Sequence, residues 1–364
     1  MRFIDLQTQY LEYKTEIDAQ INDVISNASF IMGSKIEELE DILANYVGIK
    51  HAIGCASGTD ALLLALMTYD LQPDDEIITT PFTFIATSEV ISFLKAKPVF
   101  VDIKEKSYNI DPKQIRNAIT SKTKGIIAVD IFGQCANYDE INSVAQENNL
   151  FVIEDAAQSF GAEYKGKKAC SLTDMTCTSF FPAKPLGCYG DGGMVFTNND
   201  KKAEKLKSLR VHGKGSHKYD NIQIGVNARL DTIQAAVLLA KFPHYKKEIE
   251  LRNQKASYYT ERLNDCVITP HVCAHNLSVY AQYSIRAKNR DQLQEHLNTK
   301  GIPTAVHYPR PLHLQTAFSF LGYKKGAFPI SEKVSNEIVS LPMHPFLTEK
   351  DQDKISEEII SFYS

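Results

Sequence analysis

The chain lacks the marks of several protein classes. Its seven cysteines, at positions 55, 135, 170, 177, 188, 266 and 273, include no CxxC pair, and their scatter over 364 residues excludes the disulfide framework of a small secreted domain. No segment approaches the roughly 20 consecutive apolar residues of a membrane-spanning helix. The opening Met1-Arg2-Phe3-Ile4-Asp5-Leu6 turns acidic before any apolar run develops, so no signal peptide is read there. A cytoplasmic protein is expected, with no membrane partner. Charge of one sign is also missing: 40 basic against 44 acidic residues leave a net charge of −4, which argues against a nucleic-acid partner. Any anionic ligand must therefore meet cations concentrated locally. No GxGxxG opens a helix and no Walker sequence occurs, which weighs against NAD and ATP chemistry. The glycines of Cys188-Tyr189-Gly190-Asp191-Gly192-Gly193 permit a tight turn but do not have dinucleotide-binding spacing.

What is present is an ordinary globular balance, 43% hydrophobic and 23% charged, in a chain long enough for one large and one small domain. Short apolar runs alternate with helical patterns. Strands are predicted at residues 76–80, 98–103, 125–130, 150–154, 175–180 and 193–197, with a helix over 85–95. Continuous apolar strands separated by helices imply a largely parallel α/β sheet covered on both faces. Beyond residue 245 the character changes. A charged helix over 246–263, a strand-like run at 280–286 that alternates as if half-exposed, a helix over 291–300 and a terminal helix suggest a smaller α+β unit. The expected division is 1–245, including an N-terminal arm, and 246–364.

Ligands of open α/β sheets lie beyond the carboxyl ends of the strands, and two residues with complementary chemistry fall near such ends. Lys184 stands in a stiff apolar turn, Phe180-Phe181-Pro182-Ala183-Lys184-Pro185-Leu186-Gly187. A lone lysine there reads as buried, with an amine freed for nucleophilic attack, rather than as an ordinary surface lysine. Asp155 ends Val152-Ile153-Glu154-Asp155-Ala156-Ala157-Gln158-Ser159. It reads either as a helix cap or as the carboxylate that keeps a pyridine nitrogen protonated. A Schiff-base lysine beside such an aspartate is what pyridoxal phosphate (PLP) requires. Gln158 could reach the phenolic oxygen of PLP. Gly58 and Thr59, opening the helix after Ala56-Ser57, offer backbone N–H groups to a phosphate, and Ser179 could add a hydroxyl. Phe84 follows the first strong strand and could stack on the ring. Asn227 and Arg229 could reach an anionic group. His307, Tyr308 and Arg310, in a loop stiffened by Pro309 and Pro311, could hold a phosphate-bearing substrate. No metal is expected, because no carboxylate or cysteine lies at ligand spacing near these histidines.

Taken together, these stretches resemble the sugar aminotransferases of the DegT/DnrJ/EryC1/StrS family. The resemblance runs from Phe3-Ile4-Asp5-Leu6 to Leu341-Pro342-Met343-His344-Pro345. It rests most on Ser57-Gly58-Thr59-Asp60-Ala61-Leu62, on Glu154 through Ser159, on Phe180 through Gly193, and on Asn227-Ala228-Arg229-Leu230-Asp231. It implies the PLP-dependent aminotransferase type I fold. Lys184 is then the Schiff-base lysine, Asp155 the pyridine-nitrogen contact, Gln158 the phenolic-oxygen contact and Phe84 the stacking ring. Gly58, Thr59 and Ser179 hold the phosphate, and Asn227 reaches the phosphate of the other subunit's cofactor in a homodimer with shared sites. Members with histidine in place of the lysine act as dehydratases or deoxygenases; Lys184 implies an aminotransferase. Ser278-Val279-Tyr280-Ala281-Gln282-Tyr283 and Pro303-Thr304-Ala305-Val306-His307-Tyr308-Pro309 resemble the subgroup that takes L-glutamate as donor. That subgroup aminates C3 of the nucleotide sugar UDP-2-acetamido-2-deoxy-3-oxo-glucuronate in surface-polysaccharide (O-antigen, lipopolysaccharide) synthesis. The alternatives are a 4-keto nucleotide-sugar aminotransferase, a non-catalytic sugar sensor on the same fold, and a Schiff-base aldolase without PLP.

Overall fold

Adjacent residues on each central strand enter two different cores, as a period of two requires in a sheet covered on both faces. Ile78, Ile126 and Val152 pack with the helices Ser34–Val47, Tyr138–Glu147 and Thr232–Lys241. Their neighbours Ile77, Ile127 and Ile153 pack with the helices Gly58–Met67, Ala86–Phe93 and Asp200–Leu209. The computed structural model describes every residue except Lys218. In chain order the strands are β1 (His51–Cys55), β2 (Glu76–Thr79), β3 (Lys97–Phe100), β4 (Thr123–Val129), β5 (Phe151–Asp155), β6 (Glu163–Tyr164), β7 (Lys167–Lys168), β8 (Met175–Ser179), β9 (Gly193–Thr197), β10 (Asn276–Leu277), β11 (Tyr283–Arg286) and β12 (Ile338–Leu341).

Seven strands form the main sheet in the order β1-β9-β8-β5-β4-β2-β3. β2, β3, β4, β5 and β8 are mutually parallel. β9 runs antiparallel to both its neighbours, β8 and β1. The sheet is thus mixed and mostly parallel. Its parallel carboxyl ends share one edge, where Thr79, Val129, Asp155 and Ser179 lie. The neighbouring side chains at the end of β5 diverge. Glu154 turns into the protein and accepts from Cys170 N–H (2.7 Å), Leu172 N–H (3.2 Å) and the Thr176 hydroxyl (2.9 Å). Asp155 turns to the opposite face, toward the helix Ala86–Phe93.

A third core gathers Tyr259 and Leu263 of the helix Tyr245–Leu263 with Tyr283 and Ile285 of β11, Val339 and Leu341 of β12, and Ile355 and Ile359 of the terminal helix Glu349–Tyr363. The helix Tyr245–Leu263 joins it to the first core, to which Tyr245 and Ile249 at its start belong. One sequence expectation fails here. The 280–286 run is not half-exposed: its strand is Tyr283–Arg286, and all four residues are buried. β12 pairs with it throughout, Ser284 bonds Ser340 hydroxyl to hydroxyl at 2.8 Å, and Arg286 is paired with Glu105 and Glu337. The polar residues of the alternation are therefore consumed by partners instead of solvent.

The C-terminal part is fastened to the sheet by a buried carboxylate. Asp102, beyond β3, accepts from Ile330 N–H (2.8 Å) and from the N–H (2.9 Å) and hydroxyl (2.5 Å) of Ser331, in the first turn of the helix Pro329–Glu337. A carboxylate at a helix start satisfies donors that have no partner within the helix. Asp102→Ala strands those donors and should cost about 2–4 kcal/mol of unfolding free energy. Denaturant titration measures it, and a loss below about 0.5 kcal/mol would contradict the latch.

Candidate active site

The candidate site is assembled at the carboxyl edge of the sheet. Asp155 is 5% exposed and would ordinarily resist ionisation there. Burial does raise its pKa, while the Thr87 hydroxyl (2.8 Å to Oδ2), the Ala157 N–H (3.2 Å to Oδ1) and the charge of Lys184 pull it back. Two other buried carboxylates at this edge are better supplied. Glu154 has the three donors given above. Asp130, just past β4, accepts from Ala136 N–H, the Tyr138 hydroxyl and the Ser159 hydroxyl, each at 2.8 Å. Asp155, with two donors, keeps acceptor capacity for a further N–H.

Lys184 lies in the turn that follows β8. The turn is fixed by Lys184 N–H to the Phe181 carbonyl, Cys188 N–H to the Phe180 carbonyl and Phe180 N–H to the Gly192 carbonyl, all at 2.8 Å. Buried Lys241 donates to the Gly187 carbonyl, and the Gln234 side chain accepts from Tyr189 N–H at 2.8 Å. Gly187 is needed in so tight a turn, because a Cβ there would lie 2.5 Å from the Pro182 carbonyl oxygen. The residue as a whole is half-buried, while its amine is enclosed as the sequence led one to expect. Loss of water around that amine lowers its pKa to about 8, with the Asp155 carboxylate opposing the shift. The amine can thus be deprotonated near neutrality.

A second group of residues forms an anion cradle. Gly58 opens the helix Gly58–Met67, which Ser57 caps by accepting from Asp60 N–H at 3.0 Å. A Cβ on Gly58 would sit 2.7 Å from the Ser179 Cβ. The missing side chain lets the positive helix start and the Ser179 hydroxyl approach one another. Thr59 is half-buried in the same first turn. Residues 227–229 run beside this start, with the Ala56 N–H bonded to the Ala228 carbonyl (3.1 Å) and Arg229 bridged to Cys55. Asn227 is exposed and Arg229 half-buried.

The remaining side is aromatic and amide. Phe132 has φ 60°, a strained value for a residue with a Cβ, and in that conformation its N–H donates to Gln158 Oε1 at 2.8 Å. This fixes the amide so that Nε2 donates to the Tyr308 hydroxyl at 3.1 Å, with its second N–H left over. That remaining N–H suits a phenolic oxygen. Phe82 is fully buried, whereas Phe84 is 55% exposed, with its ring 6.2 Å from that of Tyr308. His307 is half-buried, and its Nδ1 lies 2.9 Å from the Ser340 hydroxyl. Burial, and then the nearby Lys184 charge, lower its pKa to about 4. His307 is therefore neutral near pH 7 and brings no charge to an anionic substrate. Arg310 is exposed, and its guanidinium makes no hydrogen bond or ion pair among the described residues. His313, a little further along the chain, is buried against Glu332 at 3.0 Å. No cluster of three or more His, Cys, Asp or Glu suited to a metal occurs among the described residues. Sequence reasoning missed Thr87, which nothing in its local pattern distinguishes from a helix-start threonine.

An amine beside an under-supplied carboxylate, an amide with a spare N–H, an exposed phenyl ring and a helix-start cradle fit the aldehyde, pyridine nitrogen, phenolic oxygen, ring face and phosphate of PLP. They define an aminotransferase of the type I fold. Residues 12–360 match the DegT/DnrJ/EryC1/StrS aminotransferase family, and the chain belongs to it; it is a PLP-dependent aminotransferase. A UDP-2-acetamido-2-deoxy-3-oxo-D-glucuronate aminotransferase of Pseudomonas aeruginosa is 48% identical over 95% of this chain and 96% of its own. A pleiotropic regulatory protein of Geobacillus stearothermophilus is 46% identical over 99% and 98%. The crystal structure of a DegT DnrJ EryC1 StrS aminotransferase from Brucella abortus superposes with TM-score 0.97 at 45% identity, covering 100% of both chains.

Capture of PLP by the apoprotein needs the unprotonated Lys184 amine. Its rate should rise with pH through a midpoint of about 8 and then level off. Stopped-flow absorbance measures this; a midpoint near the ordinary lysine value of about 10.4 would contradict the environment described.

Proposed function

We propose that this enzyme transfers the amino group of L-glutamate to C3 of a UDP-linked 3-keto sugar, UDP-2-acetamido-2-deoxy-3-oxo-glucuronate, in surface-polysaccharide synthesis. The placement of the Lys184 amine within the electrostatic reach of Asp155, at the sheet edge, carries the reading. The similarity to the P. aeruginosa enzyme over nearly the whole chain supports the choice of sugar. PLP, when bound, supplies an electron sink joined to the carbon that gains or loses the amine. Asp155 holds a proton on the ring nitrogen through its carboxylate. The Lys184 amine, with a pKa of about 8, has an unprotonated fraction near neutral pH; it would take the α proton of glutamate and return a proton to the carbon that bore the cofactor's aldehyde. Gln158 Nε2 donates to the phenolic oxygen, and Phe84 covers the ring face. Gly58, Thr59 and Ser179 anchor the phosphate. His307 and Tyr308 orient the sugar as neutral groups, leaving Arg229 and Arg310 as the cations for its carboxylate or diphosphate.

The working unit is a homodimer in the cytoplasm, with Asn227 reaching the partner's cofactor phosphate. Asn227 is exposed, as are Ile222 and Ile224 in the preceding loop, at 66% and 89%, so this stretch is accessible to a second copy. Each subunit divides into a large cofactor-binding part, residues 1–245, and a smaller one, residues 246–364.

The test is to incubate the purified protein with L-glutamate and the 3-keto UDP-sugar and follow 2-oxoglutarate and the aminated sugar by mass spectrometry. Amination of only a 4-keto sugar would overturn the choice of substrate, and no product from either would overturn the proposal. Lys184→Arg should lower turnover by about 10²–10⁴-fold or more. Arg229→Gln should raise KM for the nucleotide sugar about tenfold or more while largely keeping kcat. Normal kinetics in either variant would remove that residue from its role.

A further inference from the structure

Asp155 takes its one side-chain hydrogen bond from Thr87, and Thr87 also holds the residue proposed to cover the cofactor. The Thr87 hydroxyl donates to Asp155 Oδ2 at 2.8 Å, while the Thr87 N–H donates to the Phe84 carbonyl at 3.3 Å. Thr87 is 1% exposed, so water cannot replace its hydroxyl. The hydroxyl has a single proton, which is committed to the carboxylate. At the 3.1 Å contact between Thr83 Oγ1 and Thr87 Oγ1, Thr83 must therefore be the donor. The chain Thr83 to Thr87 to Asp155 is polarised in one direction, toward the carboxylate. It starts on the turn that bears Phe84 and ends beneath the position assigned to the ring nitrogen.

We infer that Thr87 is a positioning residue for the cofactor, tying the Asp155 carboxylate and the Phe84 ring to one helix start so that the pyridine nitrogen stays protonated between them. The inference rests on the assignment of Asp155 to that nitrogen. Thr87 touches neither substrate nor cofactor; it acts through Asp155 and Phe84. Without its proton the carboxylate keeps one donor, the Ala157 N–H. The carboxylate then competes with the ring for the proton they share, and the ring nitrogen loses it.

The experiment titrates apoprotein with PLP labelled at the ring nitrogen. It records affinity by absorbance and ring protonation by nitrogen NMR, for the unaltered protein and for Thr87→Val, Thr87→Ser and Asp155→Asn. Thr87→Val keeps the shape and removes the hydroxyl. It should weaken PLP binding about 10–100-fold, the worth of a hydrogen bond to a charged group, and move the nitrogen signal toward that of an unprotonated pyridine. Thr87→Ser, which restores the hydroxyl, should recover both readouts. A merely structural role would leave the nitrogen signal of folded Thr87→Val unmoved. If Thr87→Val binds PLP normally with a protonated ring while Asp155→Asn loses both, the inference fails and the role of Asp155 stands. If Asp155→Asn is itself without effect, the role of Asp155 falls and the inference with it. Should Thr87→Val not fold, Thr83→Val decides: a smaller change in the same direction upholds the chain, and an unmoved nitrogen signal overturns it.

Discussion

A carboxylate must stay anionic where almost no water reaches it, beside a lysine that must be able to lose its proton. The two demands pull against each other. Burial raises the pKa of Asp155 and lowers that of Lys184, and each group's charge opposes the shift of the other. Neither environment alone gives a working pair. Fully buried without donors, the aspartate would be neutral; fully solvated, the lysine would stay protonated. The fold meets both demands by ending two adjacent parallel strands, β5 and β8, at one edge. Asp155 is thereby placed inside the edge and Lys184 at its rim.

Other features keep this pair from drifting. The lysine turn is held by three main-chain bonds and by Lys241 and Gln234 from the helix Thr232–Lys241. The amide of Gln158 is oriented by the N–H of Phe132, at the cost of an unfavourable backbone conformation. The Asp102 latch ties the helix Pro329–Glu337 to the sheet, and that helix leads directly into β12. The Ser340 hydroxyl of β12 in turn contacts His307. Packing of the C-terminal part thus sets one wall of the site. The energetics of the latch and the geometry of the substrate side are linked through a short piece of chain.

Much of this was legible in the sequence because it depends on local pattern. Continuous apolar runs placed six strands of the main sheet, and Asp155 and Lys184 stood out as polar residues next to such runs. The Ser57-Gly58-Thr59 helix start needed only a glycine and a cap. Three features were not legible. β1, His51–Cys55, is short and interrupted by glycine, and only its pairing with β9 makes it a strand. The burial of β11 depends on partners more than 50 residues away, Glu337 and Ser340 among them. The neutrality of His307 and the donor role of Thr87 arise from groups brought close only by the fold. Sequence spacing marks which residues can do chemistry; their protonation states follow from neighbours that spacing does not specify.

The central claim is that the Lys184 amine and Asp155 carboxylate form a PLP site that exchanges an amino group. The most direct measurement is the absorption spectrum of PLP-loaded protein before and after addition of L-glutamate, with Lys184→Ala beside it. The account predicts a visible band that moves to the ultraviolet with glutamate and returns when the keto sugar is added, and no such band for Lys184→Ala. A protein that shows no visible band with PLP supplied, or whose band survives the loss of Lys184, would contradict it.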